Sequence, residues 1–206
     1  MAETLTTTET RSQEILLSIK TVFEQKGFDG ASMQDLARAA EMSVGNFYRY
    51  FASKDAIIAA MVEHDLRDVA DTFGQIRSSG DPRAAFLGAL RREIVQHRES
   101  CDGPLWAEID AAASRRPEIA RITERMERDV LRYLMETFAL ITGRPAAEME
   151  DRFSEHARLV IVLFKGTAMQ PNLTPELVEL AVSTVDLLLD RIVASATAPD
   201  GPVGKS

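Results

Sequence analysis

The chain has 206 residues, 45% of them hydrophobic and 27% charged, which are ordinary globular proportions and enough length for one large or two small cores. A net charge of −8 excludes a surface that is basic throughout, and the single cysteine, Cys101, excludes an internal disulfide or a CxxC redox or metal pair. The first ten residues lack the basic start and apolar run of a secretory signal, and no apolar stretch approaches bilayer length, so a cytoplasmic protein with no membrane partner is expected.

Every strongly patterned segment has helical period and none alternates as a strand does, so the expected fold is all-α with about nine helices. An unstructured start up to Thr8 gives way to a helix capped by Thr10 with Gln13, striped by Ile15, Leu16, Ile19, Val22 and Phe23, and ended by Gly27. Ser32 with Asp35 opens a short second helix carrying Met33, Leu36, Ala37 and Ala40. Ser43 opens a third through Phe51, and Ser53 a longer fourth to about Phe73. The break at Ser78-Ser79-Gly80-Asp81-Pro82 precedes a fifth helix to about His97, with Pro82 in its first turn. Breaks at Asp102-Gly103-Pro104, Arg116-Pro117, Gly143-Arg144-Pro145 and Pro171 to Pro175 divide the remainder into about four more helices. The stretch from Thr197 on is expected to be a flexible tail.

Helices two and three are joined only by Glu41-Met42 with Ser43 as cap, the short turn of a helix-turn-helix. In the third helix Val44, Phe47 and Phe51 share one apolar side at i, i+3 and i+7. Gly45, Asn46, Arg49 and Tyr50 fall on the other side, with Tyr48 near the border. An amide, a guanidinium and two phenols suit base edges and phosphate oxygens, and Gly45 lets a backbone approach closely. Charge distribution permits this. From Arg11 to Lys54 six basic residues face five acidic ones, and the chain's acidity lies in residues 1–10 and 55–206.

The run Ser43-Val44-Gly45-Asn46-Phe47-Tyr48-Arg49-Tyr50-Phe51-Ala52-Ser53-Lys54 closely resembles the recognition helix and connector of the TetR family of transcriptional regulators. Gly27-Phe28-Asp29-Gly30-Ala31-Ser32 and Asp35-Leu36-Ala37 match the same family just upstream, and the resemblance covers about residues 11–66. It implies that Ser32, Tyr48 and Lys54 contact phosphates and that Gln34, Val44, Gly45 and Asn46 stand where relatives touch bases. Arg49 and Tyr50 suit either purpose, and the cap Ser43 joins the set. Tyr50 departs from the family pattern, in which histidine is frequent at this place.

The resemblance further implies a helix-turn-helix DNA-binding domain over residues 1–54, with 1–9 disordered, and a larger effector-binding and dimerisation domain over 55–197, followed by a tail at 198–206. The segments His156 to Ala168 and Pro175 to Val193 are apolar on more than one face, as a helix buried on two sides must be. Val160, Leu163, Phe164, Leu177, Leu180, Ala181, Thr184 and Leu188 are the expected homodimer interface. Phe86, Leu90, His97, Trp106, Ile109, Asp110, Met126, Val130, Tyr133 and Phe164 are candidates for the wall of a pocket taking a lipophilic small molecule, with Glu108 and His156 as further orienting groups. No nucleophile motif, phosphate loop, metalloprotease motif or dinucleotide fingerprint is present, and His97 with Cys101 is too few ligands for zinc. Neither catalysis, a cofactor nor a metal is therefore expected. The expected role is a ligand-released dimeric repressor on a palindromic operator. The alternative is a constitutive dimeric DNA-binding or interaction module without effector, with an enzyme a distant third.

Overall fold

The computed structural model describes residues 2–99 and 102–197. Among them lie nine α-helices and no strand: α1 Ala2–Gly30, α2 Met33–Ala39, α3 Val44–Tyr50, α4 Lys54–Arg77, α5 Pro82–Glu99, α6 Asp102–Ala113, α7 Pro117–Thr142, α8 Ala146–Ala168 and α9 Pro175–Thr197. No helix among the described residues is long and apolar enough to cross a membrane. The expected tail 198–206 and Cys101 lie outside the described residues.

Local chemistry sets most helix ends. Pro82, Pro117 and Pro175 each occupy a first helical position, where the missing N–H has no intrahelical acceptor to lose. Side-chain oxygens cap the exposed amides ahead of α4, α5 and α9: Ser53 Oγ accepts from Ala56 N (3.1 Å), Asp81 Oδ1 from Ala84 N (3.0 Å) and Thr174 Oγ1 from Leu177 N (3.2 Å). Gly143, with φ 67°, stops α7 in the left-handed region. One expectation is corrected at the start of the chain. α1 begins at Ala2, so the residues up to Thr8 are helical and Thr10 lies inside the helix, where no cap is needed.

The chain divides into two compact units, one formed by the residues up to Val69 together with His97–Arg128, the other by Ala70–Gln96 together with the residues from Asp129 on. The core of the first is rich in aromatic rings. Phe23 and Phe28 stack at 5.6 Å, Phe47 and Phe51 tilt together at 5.7 Å, and Ile15, Ile19, Leu36, Ile57, Leu105, Ile109 and Ile119 fill the remainder. This unit thus includes α6 and the start of α7 as well as the three N-terminal helices. In the second unit α9 buries Val178, Ala181, Val182, Val185, Leu188, Leu189 and Ile192 in a core shared with Met149, Phe153, Ala157 and Val160 of α8. Arg144 donates from Nε and Nη2 to Ala196 O, and Arg152 from Nη2 to Ser195 O, so two guanidinium groups satisfy carbonyls that the end of α9 leaves open.

Candidate nucleic-acid interface

The site begins where α1 ends. Gly27 takes φ 68° and ψ 167°, a conformation that L side chains rarely adopt, and a Cβ there would lie 3.2 Å from Glu108 Oε2. The kink turns the Phe28 N–H toward that same carboxylate, which accepts it at 2.9 Å. Four residues later the helix-turn-helix proper starts with the expected cap, Ser32. Asp35 N donates to Ser32 Oγ (3.1 Å), while Ser32 N and Oγ donate back to Asp35 Oδ2 (3.1 and 2.6 Å). Hydrogen bonds from Lys26 and Ser32 hold the Asp35 carboxyl well below the usual carboxylate range.

The turn between α2 and α3 closes as a Schellman motif. Met42 N donates to Ala37 O (2.9 Å) and Glu41 N to Arg38 O (3.1 Å), with Glu41 in the left-handed region at φ 54°. Ser43 then caps α3 by accepting from Asn46 N at 3.3 Å. Phe47 is fully buried and anchors the seven-residue helix, with Phe51 buried just beyond it. Gly45, Asn46, Tyr48 and Arg49 are exposed. Around Gly45 a Cβ would meet nothing within 4 Å, so nothing inside the chain calls for a glycine there. Gln34, Ser32 and Ser43 are exposed as well.

Three expected placements change. Val44 stands out of the core at 36% exposure, because it is the first residue of α3 and its Cα–Cβ bond tilts past the end of the helix, away from the packed face. Tyr50 packs partly against the core. Lys54 is half-buried and engaged: Nζ donates to Phe28 O (2.7 Å) and Asp29 O (3.1 Å) and lies 5.0 Å from the centroid of the Phe28 ring. Two of its three N–H groups thus close the carbonyls of the α1–α2 turn, leaving one for another acceptor.

The remaining candidates fall in both units. Ile109, Trp106 and Met126 belong to the first unit's core or pack against it, whereas Phe86 and Leu90 are core residues of the second, with Val130 and Phe164 packed against that core. Tyr133 stacks on Phe73 at 5.3 Å, and His97 and Asp110 are half-buried. Glu108, expected to orient a ligand, is held instead by the Phe28 amide. His156 sits edge-on to Phe153 with a buried Nδ1 that has no hydrogen-bond partner. On α8 and α9, Val160, Ala181 and Leu188 of the expected interface point into their own core. Leu163, Phe164 and Leu177 are partly buried against it, and Leu180 and Thr184 are exposed. The large apolar side chains that these helices leave exposed are Leu159, Val162, Leu180 and Leu187. His64, Asp65 and Asp68 bring ligand atoms within 4.8 Å of one another, a proximity that the i, i+1, i+4 spacing of α4 supplies, and His64 Nδ1 pairs with Asp68 Oδ2 at 3.2 Å.

Sequence reasoning missed the contribution of the connection between α6 and α7. Arg115 and Arg116 ion-pair with Asp29, and Arg116 also with Asp55, across more than sixty residues of sequence. No local pattern could have announced pairs so distant.

Comparisons with known proteins agree with this geometry. Residues 15–61 match the model of a family described as bacterial regulatory proteins, tetR family. The uncharacterized HTH-type transcriptional regulator YuxN of Bacillus subtilis is 26% identical over 61% of this chain, which spans 43% of that protein's own length. The HTH-type transcriptional regulator BetI of Paraburkholderia phymatum is 25% identical over 90% of this chain and 96% of its own. GusR of Salmonella enterica, a solved structure, shares the fold with a TM-score of 0.72 at 20% identity, covering 88% of this chain and 96% of its own. The family model falls on α1 to α4, where the capped turn and recognition helix lie, so residues 15–61 are similar to the helix-turn-helix of the tetR family of bacterial regulatory proteins.

Proposed function

We propose that the protein represses transcription by gripping a palindromic operator as a homodimer and letting go when a small lipophilic effector binds. The observation that carries this reading is the outward side of α3. Val44, Gly45, Asn46, Tyr48 and Arg49 are presented to solvent over a fully buried Phe47. A glycine in a helix costs up to about 1 kcal/mol against alanine. Open space around Gly45 leaves close approach by an outside surface as the reason to keep it. Asn46 and Arg49 bring the side-chain types that read base edges, and Tyr48 a hydroxyl for phosphate, with Gln34, Ser32, Ser43, Tyr50 and Lys54 completing the contact set.

Dimerisation is supported by the exposed aliphatic stripe of α8 and α9, since Val162, Leu180 and Leu187 are each more than 60% exposed. Pairing there would double the recognition helix for two half-sites about 34–36 Å apart, or a multiple of that. The aromatic and aliphatic side chains of the second unit, Phe86, Leu90, Val130, Tyr133 and Phe164 among them, suit an apolar effector. Release follows by linkage, because an effector that prefers a non-binding geometry is disfavoured by DNA to the same degree.

Selection of bound duplexes from a random-sequence pool tests the reading. Enrichment of an inverted repeat, bound by two chains and released by a member of a metabolite panel, is the expected result. Failure to enrich any sequence would remove the repressor assignment.

A further inference from the structure

Between α6 and α7 the consecutive residues Arg115 and Arg116 turn toward the end of α1. The Arg116 guanidinium reaches carboxylates from two separate elements, donating from Nη2 to Asp29 Oδ1 at 2.7 Å and from Nη1 to Asp55 Oδ1 at 3.0 Å, and its Cζ lies 5.0 Å from the centroid of the Phe28 ring. Arg115 adds a contact of 3.3 Å to the other Asp29 oxygen. Both carboxylates sit beside Lys54: the Asp29 carbonyl is one of the two that its Nζ already bonds, and Asp55 is its neighbour in the chain. Two negative charges are therefore gathered within a Debye length, about 8–10 Å, of the one ammonium assigned to a DNA phosphate.

We propose that Arg116 is an electrostatic screen for the DNA-binding surface, a positioning residue that neutralises Asp29 and Asp55 so that a phosphate can approach Lys54. The inference rests on the DNA-binding reading given above. Arg116 itself touches no DNA in this scheme. Its guanidinium suits the task because a planar fork can hold two carboxylates at once, and Phe28 fixes the plane. All three ionic partners are at least one-third exposed, so their contribution to folding is small, while their field still acts on an incoming polyanion.

A brace and a screen respond differently when the carboxylates are removed. Duplexes selected by the wild-type chain serve as the probe, titrated at about 50 and 200 mM salt. Arg116→Gln is expected to bind them roughly five- to tenfold more weakly, with the larger deficit at low salt. Adding Asp29→Asn and Asp55→Asn to Arg116→Gln should restore binding to within about twofold of wild type, since the repelling charges are gone. With Arg116 intact, the Asp29→Asn, Asp55→Asn pair should bind several-fold tighter, an arm that does not depend on the Arg116 variant folding. Unchanged affinity in Arg116→Gln, a triple variant as weak as the single, or a double variant no tighter than wild type would overturn the screen. A wild-type chain that selects no duplex would overturn the DNA-binding reading along with it.

Discussion

The two compact units show opposite chemistry to the solvent. In the first, the seven residues of α3 present an amide, a phenol and a guanidinium above one buried ring. In the second, the 23-residue helix α8 presents a leucine and a valine and the 23-residue helix α9 two leucines, above a largely apolar inner face. Polar groups lose little by standing in water until a nucleic acid replaces it, and each is free to exchange one hydrogen bond for another. Exposed leucines stand in water at a cost that only a covering surface removes. On the first surface Val44 is the one aliphatic side chain left exposed, at 36%, whereas the second leaves four. On the function proposed above, the first surface meets a polyanion and the second an apolar partner.

The largest expected effect lies beneath the first surface. Phe47 is the only residue of α3 buried outright, and its ring holds the helix against Phe51. Phe47→Ala should cost about 3–5 kcal/mol of stability and abolish DNA binding, read by thermal melting and by titration of a selected duplex. Unaltered melting would mean that α3 is held by something other than its anchor, and the contrast with the second unit would lose its basis.

Next comes the second surface. Leu180 and Leu187 lie seven residues apart on one face of α9, 62% and 66% exposed, so replacing both with glutamate removes little contact within the chain. Leu180→Glu with Leu187→Glu should leave helical circular dichroism as it is and weaken self-association by roughly a hundredfold or more, measured by sedimentation, since each buried leucine contributes about 1.5–3 kcal/mol. A double variant that associates like wild type would show that the stripe is not the apolar partner's seat.

Much of the fold could be read from the sequence because its cues are local. The caps Ser32, Ser43 and Ser53 and the proline at the head of α5 act within one helical turn, and the structure has each in its expected place. The inward side of α9 was not legible for a physical reason. Its residues are apolar on both faces, so periodicity cannot say whether Ala181 and Leu188 or Leu180 and Leu187 face inward, and a step of one residue turns a helix by 100°. Grouping α6 with α1 was equally hidden. The contacts that join them, such as Phe28 with Glu108 eighty residues on, obey no spacing rule.

A smaller effect separates two roles within the first surface. Tyr48 is 48% exposed and Lys54 half-buried on the Phe28 and Asp29 carbonyls. Tyr48→Phe should weaken duplex binding by about tenfold, a lost phosphate hydrogen bond, with no change in melting. Lys54→Ala should weaken binding too, but also cost about 1–2 kcal/mol of stability, because two carbonyls of the α1–α2 turn lose their donor. If both variants melted like wild type, the ammonium would not be holding the turn. If Tyr48→Phe alone melted early, its hydroxyl would belong to the fold.

The smallest expected effect concerns the turn that presents α3. The Schellman closure of α2 needs a residue in the left-handed region at its fifth bonded position, and the chain supplies Glu41, whose Cβ crowds the following carbonyl there. Glycine would relieve that crowding, while its greater freedom in the unfolded chain takes back part of the gain. Glu41→Gly should therefore stabilise the protein by about 0.5–1 kcal/mol, seen as a rise of a few degrees in the melting midpoint. Glu41 is exposed, so no packing is lost, and asparagine, which also tolerates this conformation, should give a smaller gain of the same sign. Because the substitution removes an acidic side chain two residues from the cap of the recognition helix, duplex affinity should rise slightly as well, and more at low salt than at high. A gain in affinity without a gain in stability would locate the effect in charge and leave the backbone strain at this turn unsupported.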